Sequence, residues 1–276
     1  MQRRCQVSLW FGPLVIAPSL FMVYRWFGLA ALMIAGIANT GAVLIAAWIL
    51  SGSFARKTSE EQKWIAIAGC LLVAPITLMV VIAGMGPPPQ EAGQWLATSQ
   101  EQKTRYALLL VVGLLAAGGF AVLKECLRQA GEHFYSTLGF TAMVISTTLF
   151  VFYITGFITL SPEALRQWES SGKMPDWYTP VARHAAIIGL VEVALAYLAT
   201  AAFATALRKV GWLERTASRV FVTISLIAAP AVLLSPFYPS ARMGLPIFVL
   251  AIPAVPFVVP YLIGVRLLRR AGSAAG

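Results

Sequence analysis

Apolar residues along the chain come in long blocks that short polar segments separate. Each block holds roughly twenty residues, the length of helix that crosses about 30 Å of hydrocarbon. The blocks lack the alternation of apolar and polar positions that is typical of barrel strands, and backbone inside a bilayer must satisfy its own hydrogen bonds. The pattern therefore predicts an all-α integral membrane protein, a bundle of transmembrane helices.

Six blocks are each predicted to form one transmembrane helix: approximately 64–85, 106–123, 138–160, 184–207, 221–235 and 245–265. Before them lies one apolar tract, Val7 to Leu50, that is interrupted only by Tyr24-Arg25-Trp26. We interpret this tract as a tight hairpin of two spans, 7–23 and 28–50. The prediction is then about eight spans in a single transmembrane domain, residues 1–276.

A cleavable signal peptide is the alternative for the first apolar run, because Arg3 and Arg4 precede it. The run contains two prolines, and no clean A-x-A cleavage site appears before Arg25. These features favour a span that stays in the protein.

Composition and charge agree with a membrane protein and give its orientation. Hydrophobic residues make up 59% of the chain and charged residues 12%, and the net charge is +10. With eight spans, one side of the membrane collects 14 of the Lys and Arg residues and the other side 7. Because cytoplasmic loops carry the excess of Lys and Arg, both the N and C termini are predicted to be cytoplasmic. Anionic lipid headgroups account for the basic charge, and no nucleic-acid partner is expected.

Two segments carry a resemblance to known sequences. One is Arg3-Arg4-Cys5 leading to Trp10-Phe11-Gly12-Pro13. The other is the helix end Gly84-Met85-Gly86-Pro87-Pro88-Pro89 before a segment rich in Gln, Glu and Ala. Over about the first half of the chain this resembles a group of uncharacterised bacterial multi-pass membrane proteins. The resemblance implies a bacterial cytoplasmic (inner) membrane and no particular activity.

The chain lacks the residues that several kinds of chemistry require. The two histidines, His133 and His184, fall on opposite sides of the membrane in the eight-span topology, so they cannot jointly hold a haem or a metal cluster. Asp176 is the single aspartate, so the chain lacks the paired aspartates that bind diphosphate through magnesium. No G-x-x-x-x-G-K-[ST] loop is present. We therefore predict no cofactor, no metal site and no catalytic residues.

Glu192 is the most unusual residue in the predicted spans, about eight residues into the sixth and therefore ~12 Å from its outer end. A carboxylate at such a depth costs on the order of 2.5–3.5 kcal/mol, so its side chain should face protein or water. Other polar residues that lie at comparable depth, and that would complete a polar layer, are Asn39, Thr77, Thr148 and Tyr153. The layer is either a proton- or substrate-binding site or a structural hydrogen-bond cluster.

The last predicted span is rich in proline: Pro246, Pro253, Pro256 and Pro260 would share one face of a helix. Each proline removes a backbone donor and frees a carbonyl four residues earlier. One hypothesis is a gating helix that bends at Pro253, Pro256 and Pro260, with its free carbonyls on a cavity. The other is a static kink packed against neighbouring helices.

Two classes of function fit these features. The first is a transporter or permease for a small apolar or amphiphilic molecule, with Glu192 carrying a proton or binding a polar group. The alternative is a non-catalytic membrane subunit or scaffold that binds a partner protein through small-residue helix faces, such as the one around Gly113, Ala117 and Gly118. A lipid enzyme ranks third, because no second acid or base is predicted near Glu192. A cavity that reaches Glu192 would favour transport.

The topology can be tested with single cysteines at Gln2 and Ser273, in a background in which Cys5, Cys70 and Cys126 are replaced. Both positions are predicted to be cytoplasmic, so both should be protected from a membrane-impermeant thiol reagent in intact cells and labelled after lysis. Labelling of the Gln2 position alone in intact cells would contradict the first span.

Overall fold

The computed structural model describes the backbone of residues 2–51, 59–89, 91–237 and 255–273, and the side chains of all of these except 2–15, 17 and 92. Every long regular element in these ranges is an α-helix. In chain order they are α1 (Gln2–Leu50), α2 (Glu60–Gly84), α3 (Ala92–Ala97), α4 (Ser99–Gln129), α5 (Phe134–Ser171), α6 (Tyr178–Lys209), α7 (Arg215–Leu234) and α8 (Val258–Ser273). The all-α prediction is confirmed for this part of the chain.

Six helices among the described residues are long and apolar enough to cross a membrane. They are Pro18–Leu50 within α1, then α2, α4, α5 and α6, and Arg215–Phe237, which extends α7. Five predicted spans, from 64–85 through 221–235, coincide with the last five of these helices. The predicted span 245–265 begins outside the described residues, and α8 covers only its end.

The helix α1 is broken at Gly28, close to the predicted turn between the first two spans. Gly28 has φ 77° and ψ −172°, a backbone conformation that is essentially restricted to glycine. Leu20 before the break and Leu32 after it both approach Gly84 at the end of α2, to within 3.1 and 3.0 Å of where a Cβ would lie. The chain therefore bends at Gly28 so that both arms pack against α2.

The long helices form a bundle around α2, α4, α5 and α6. The helix α2 packs against α1, α4 and α8, while α5 packs against α4 and α6, and α6 against α7. Stacked rings of Phe120 on α4 and Phe203 on α6, 4.6 Å apart, lie at the centre of the largest buried cluster. Short connections join α4 to α5, α5 to α6 and α6 to α7, so these helices alternate in direction.

Cationic side chains collect at one end of the bundle, which we call the basic end: the C-terminal ends of α4, α6 and α8 and the N-terminal ends of α5 and α7. Three of them lie over aromatic rings, with distances to the ring centre of 5.0 Å for Lys124 on Phe140, 4.4 Å for Lys209 on Tyr135 and 5.0 Å for Arg270 on Trp212. Such contacts hold the cations at the helix ends.

Glu132 caps the N-terminus of α5 at the basic end. Its carboxylate accepts hydrogen bonds from the backbone N–H groups of Tyr135 and Ser136, both at 2.9 Å. Burial raises the pKa of Glu132, but hydrogen bonds from Tyr135 and Ser136, together with the positive charge of Lys209, hold the pKa below its ordinary value. The carboxylate that caps α5 therefore stays charged.

The helix α5 continues well past its predicted end. Ser161-Pro162-Glu163 resembles a helix start, with an N-cap residue and a proline in the first turn. Instead α5 runs through Pro162 to Ser171 as one continuous helix. At 1.5 Å per residue α5 is about 57 Å long and exceeds the thickness of the hydrocarbon core.

Glycines allow α2 and α8 to approach each other closely. A Cβ on Gly264 of α8 would lie 2.9 Å from the carbonyl oxygen of Gly69 on α2 and 3.0 Å from the Cβ of Leu72. Small residues at such a contact let two backbones pack in van der Waals contact. The close packing of α8 on α2 therefore requires glycine at position 264.

Gly264→Ala should destabilise the protein by about 1–3 kcal/mol, because the added methyl group meets a backbone oxygen that cannot move aside. Gly41→Ala is the matched control, since no atom of the described residues lies within 4 Å of a Cβ at Gly41. The measurement is thermal unfolding of the purified protein in detergent. Equal melting temperatures for the two variants would contradict the close packing of α2 on α8.

Candidate functional site

A cavity of about 560 Å³ lies between α2, α4, α5, α6 and the 3-10 turn Val255–Phe257. This volume is within the range of small-molecule sites, roughly 300–1,000 Å³. Most of the described wall is apolar and includes Leu109, Phe150 and Ile154. The side chains that bring polar or charged groups to it are Arg105, Tyr106, Tyr153 and Glu192.

The cavity lies toward the end of the bundle opposite the basic end. Gly86 and Pro88, which follow the C-terminus of α2, form part of its wall there. Along α6 the wall extends from Ala186 to Val193. Six residues of helix correspond to about 9 Å, so Glu192 lies about 9 Å further along α6 than Ala186, in the direction of the basic end.

Glu192 is buried on α6, and its side chain is 9% exposed. The Ser146 hydroxyl on α5 lies 3.0 Å from the carbonyl oxygen of Glu192 and 3.4 Å from its Oε1. A serine hydroxyl has one proton to donate, so the shorter contact to the carbonyl is the better hydrogen bond. No cationic nitrogen lies within 4.0 Å of the Glu192 carboxyl in the part of the chain that the structure describes.

Aromatic rings of α4 and α5 pack against each other beside the cavity, and one of them also contacts α6. Tyr106 on α4 stacks on Phe157 of α5 at 4.9 Å, and Tyr153 meets the same ring edge-on at 5.0 Å. Gly189 on α6 makes room for Tyr153, since a Cβ there would lie 3.1 Å from the ring. The position of Tyr153 therefore depends on both α5 and α6.

Tyr153 also lines a second space, a groove of about 300 Å³ between α5 and α6. The wall of the groove includes Gly156, His184 and Ile188. Because Tyr153 belongs to both walls, its ring lies between the groove and the central cavity. A change in its rotamer would alter the separation of the two spaces.

Arg105 is 7% exposed and lies in α4, although the sequence places it outside the predicted span. Its Nη1 donates to the carbonyl oxygen of Gly86 at 2.7 Å, and its Nη2 lies 3.5 Å from that of Met85. Both carbonyls belong to the end of α2. The guanidinium is thus fixed by backbone oxygens at the end of the cavity nearest Pro88.

The predicted polar layer is distributed over several places. Tyr153 shares the cavity wall with Glu192. Thr77 is buried and Thr148 is exposed, and each hydroxyl donates to a carbonyl of its own helix, at 2.7 and 2.9 Å. Asn39 is half-buried on α1. The described wall of the cavity includes none of these last three residues.

The three prolines of the hypothetical gating helix also lie in different surroundings. Pro253 is outside the described residues. Pro256 lies in the 3-10 turn and lines the cavity. Pro260 is buried in the first turn of α8, where a missing N–H costs little.

Sequence reasoning missed Ser146 and Arg105 as neighbours of the site. Ser146 is one of several hydroxyl residues in its span and carries no distinguishing pattern. Arg105 lies next to the first apolar residue of its block, where cations usually face the headgroups. Its burial depends on the end of α2, which the spacing of residues does not show.

Family models, curated proteins and solved structures were compared with the chain, and none of them matches. The comparisons therefore assign no ligand, partner or residue role to this protein. The chemistry of the cavity therefore has to be interpreted from its own residues.

Proposed function

We propose that this chain is a multi-pass protein of a bacterial cytoplasmic membrane, with about eight spans and both termini in the cytoplasm. The six apolar helices support a multi-pass protein. The grouping of cations at the basic end supports the orientation, because that end would face the cytoplasm. The break at Gly28 supports two spans in α1.

Within that membrane the protein acts as a permease for a small apolar or amphiphilic molecule. The observation that carries this proposal is the cavity with Glu192 in its wall. Apolar walls with a few polar groups are typical of small-molecule sites. An ionisable residue inside a membrane bundle is costly and is usually retained for function.

Three residues have roles in this proposal. Glu192 binds a proton or a polar group of the substrate at the deep end of the cavity. Tyr153 separates the cavity from the groove between α5 and α6, which gives a molecule a route from the bilayer. Pro256 lies in the 3-10 turn that directly precedes α8 beside the cavity, and this turn is the place where the wall bends.

The scaffold alternative has weaker support. It requires a face of small residues that is free to bind a partner. A Cβ on Gly113 would lie 2.6 Å from the Phe150 ring of α5, so this glycine already serves packing inside the bundle. Among the described residues, a Cβ on Gly118 would have only Leu71 as a neighbour, at 4.0 Å. Gly118 therefore offers the small open patch on which a partner helix would have to rest.

Ligand binding can be tested with N-phenyl-1-naphthylamine, an uncharged fluorescent probe, and the protein in lipid nanodiscs. Energy transfer from tryptophan to the bound probe reports binding. The double variant Ala83→Phe/Ala186→Phe fills two cavity-lining positions and should abolish saturable binding. Ala107→Phe, at an exposed position of α4 outside the described wall, is the matched control and should bind as the wild type does.

Transport can be tested in proteoliposomes that contain a pH-sensitive dye. A gradient of a slowly permeating amphiphile, either the anionic 8-anilinonaphthalene-1-sulfonate or the cationic ethidium, should drive a change in internal pH. Glu192→Gln should reduce this flux to the level of protein-free liposomes, because an amide cannot release a proton. Glu163→Gln, which removes an exposed carboxylate of α5, should leave it unchanged.

A wild-type protein that moves protons with neither probe would contradict the permease. A Glu192→Gln variant with wild-type flux would contradict the role of Glu192 while leaving the cavity as a binding site. Folding of each variant is checked by its melting temperature, so that loss of flux is not mistaken for loss of structure.

A further inference from the structure

The positive charge of Arg105 has little local compensation. Carbonyl oxygens of Gly86 and Met85 accept two of its N–H groups, and its buried Nε has no hydrogen-bond partner in the part of the chain that the structure describes. No carboxylate oxygen lies within 4.0 Å of the guanidinium among the described residues. A buried cation without a charged partner is costly, and an anion beside it would reduce that cost.

The acid that interacts electrostatically with Arg105 is otherwise engaged. Glu101 lies one turn before Arg105 on α4, and its carboxylate accepts a hydrogen bond from the Tyr24 hydroxyl of α1. That bond directs the carboxylate toward α1. Among the described residues no ion pair joins Glu101 to Arg105, and Arg105 lies in the described wall of the cavity.

Apolar side chains line the cavity beyond Arg105, in the direction of the basic end. One turn further along α4 comes Leu109, and Phe150 and Ile154 of α5 face the same space. The wall then continues for about 9 Å along α6 to Glu192. A cation at one end of an apolar cavity is the arrangement that suits a molecule with an anionic head and an apolar body.

We propose that the cavity selects amphiphiles with an anionic head group, a carboxylate, sulfonate or phosphate, that binds the Arg105 guanidinium. The planar guanidinium fits such oxyanions through two N–H groups. The apolar body lies against Leu109, Phe150 and Ile154 and points toward Glu192. This inference rests on the proposed function, since it names the substrate class of the same cavity.

A matched pair of probes tests the charge of the head group. The anionic probe 8-anilinonaphthalene-1-sulfonate and the uncharged N-phenyl-1-naphthylamine share one aromatic body and differ by the sulfonate. Binding to the protein in phosphatidylcholine nanodiscs is measured by energy transfer from tryptophan. Arg105→Gln should weaken binding of the sulfonate by about tenfold or more, as expected for loss of a charged hydrogen bond. Binding of the uncharged probe should change by less than about twofold.

Two further variants control for charge and for folding. Lys103→Gln removes an exposed cation two residues away and should change neither affinity by more than about twofold. Arg105→Lys keeps the charge and should retain part of the preference for the sulfonate. It also keeps the proposal testable if Arg105→Gln does not fold.

The alternative is an arginine that only caps the end of α2. In that case Arg105→Gln lowers the melting temperature and leaves the ratio of the two affinities unchanged, which would overturn the proposal. If both probes bind equally well and Ala83→Phe/Ala186→Phe abolishes both, the anion selectivity is wrong and the cavity function stands. If cavity filling affects neither probe, both proposals fail.

Discussion

Polar groups buried inside an apolar bundle must find hydrogen-bond partners, because an unsatisfied polar group there is costly. A carboxyl on α6 and a guanidinium on α4 lie on the wall of the same cavity, and among the described residues neither has an oppositely charged group within 4.0 Å. Each has uncharged neighbours instead: the Ser146 hydroxyl lies 3.4 Å from the Glu192 carboxyl, and the carbonyls that end α2 accept from Arg105. Polar groups fixed in this way keep hydrogen-bonding capacity on their cavity side.

Packing differs between the two ends of the bundle. Toward the basic end, glycines bring backbones together, as Gly69 and Gly264 do, and cations rest on aromatic rings. Toward the opposite end, large side chains such as Phe150 and Tyr153 enclose space and do not fill it. The permease proposal uses the space that these large side chains leave.

The helical class could be predicted from the sequence because the length of an apolar block is a direct physical signal. Five predicted spans coincide with helices, and the expected turn near Arg25 corresponds to the break at Gly28. The end of α5 could not be predicted, since Pro162 resembles a helix start and lies inside a continuous helix. Glu192 could be identified from the sequence because a carboxylate inside a membrane is costly. Which residues lie beside it depends on the rotation of each helix about its own axis. Depth along a span placed Thr148 beside it, whereas the structure places Ser146 there.

In the permease proposal, a space accessible to small molecules reaches Glu192, and the reactivity of a thiol at that position measures this accessibility. In a background without Cys5, Cys70 and Cys126, Glu192→Cys is compared with Ala199→Cys, two turns further along α6 and fully buried. A small methanethiosulfonate reagent should modify the thiol at position 192 at least about tenfold faster, because the other position is closed by packing. Equal rates at the two positions would contradict the account.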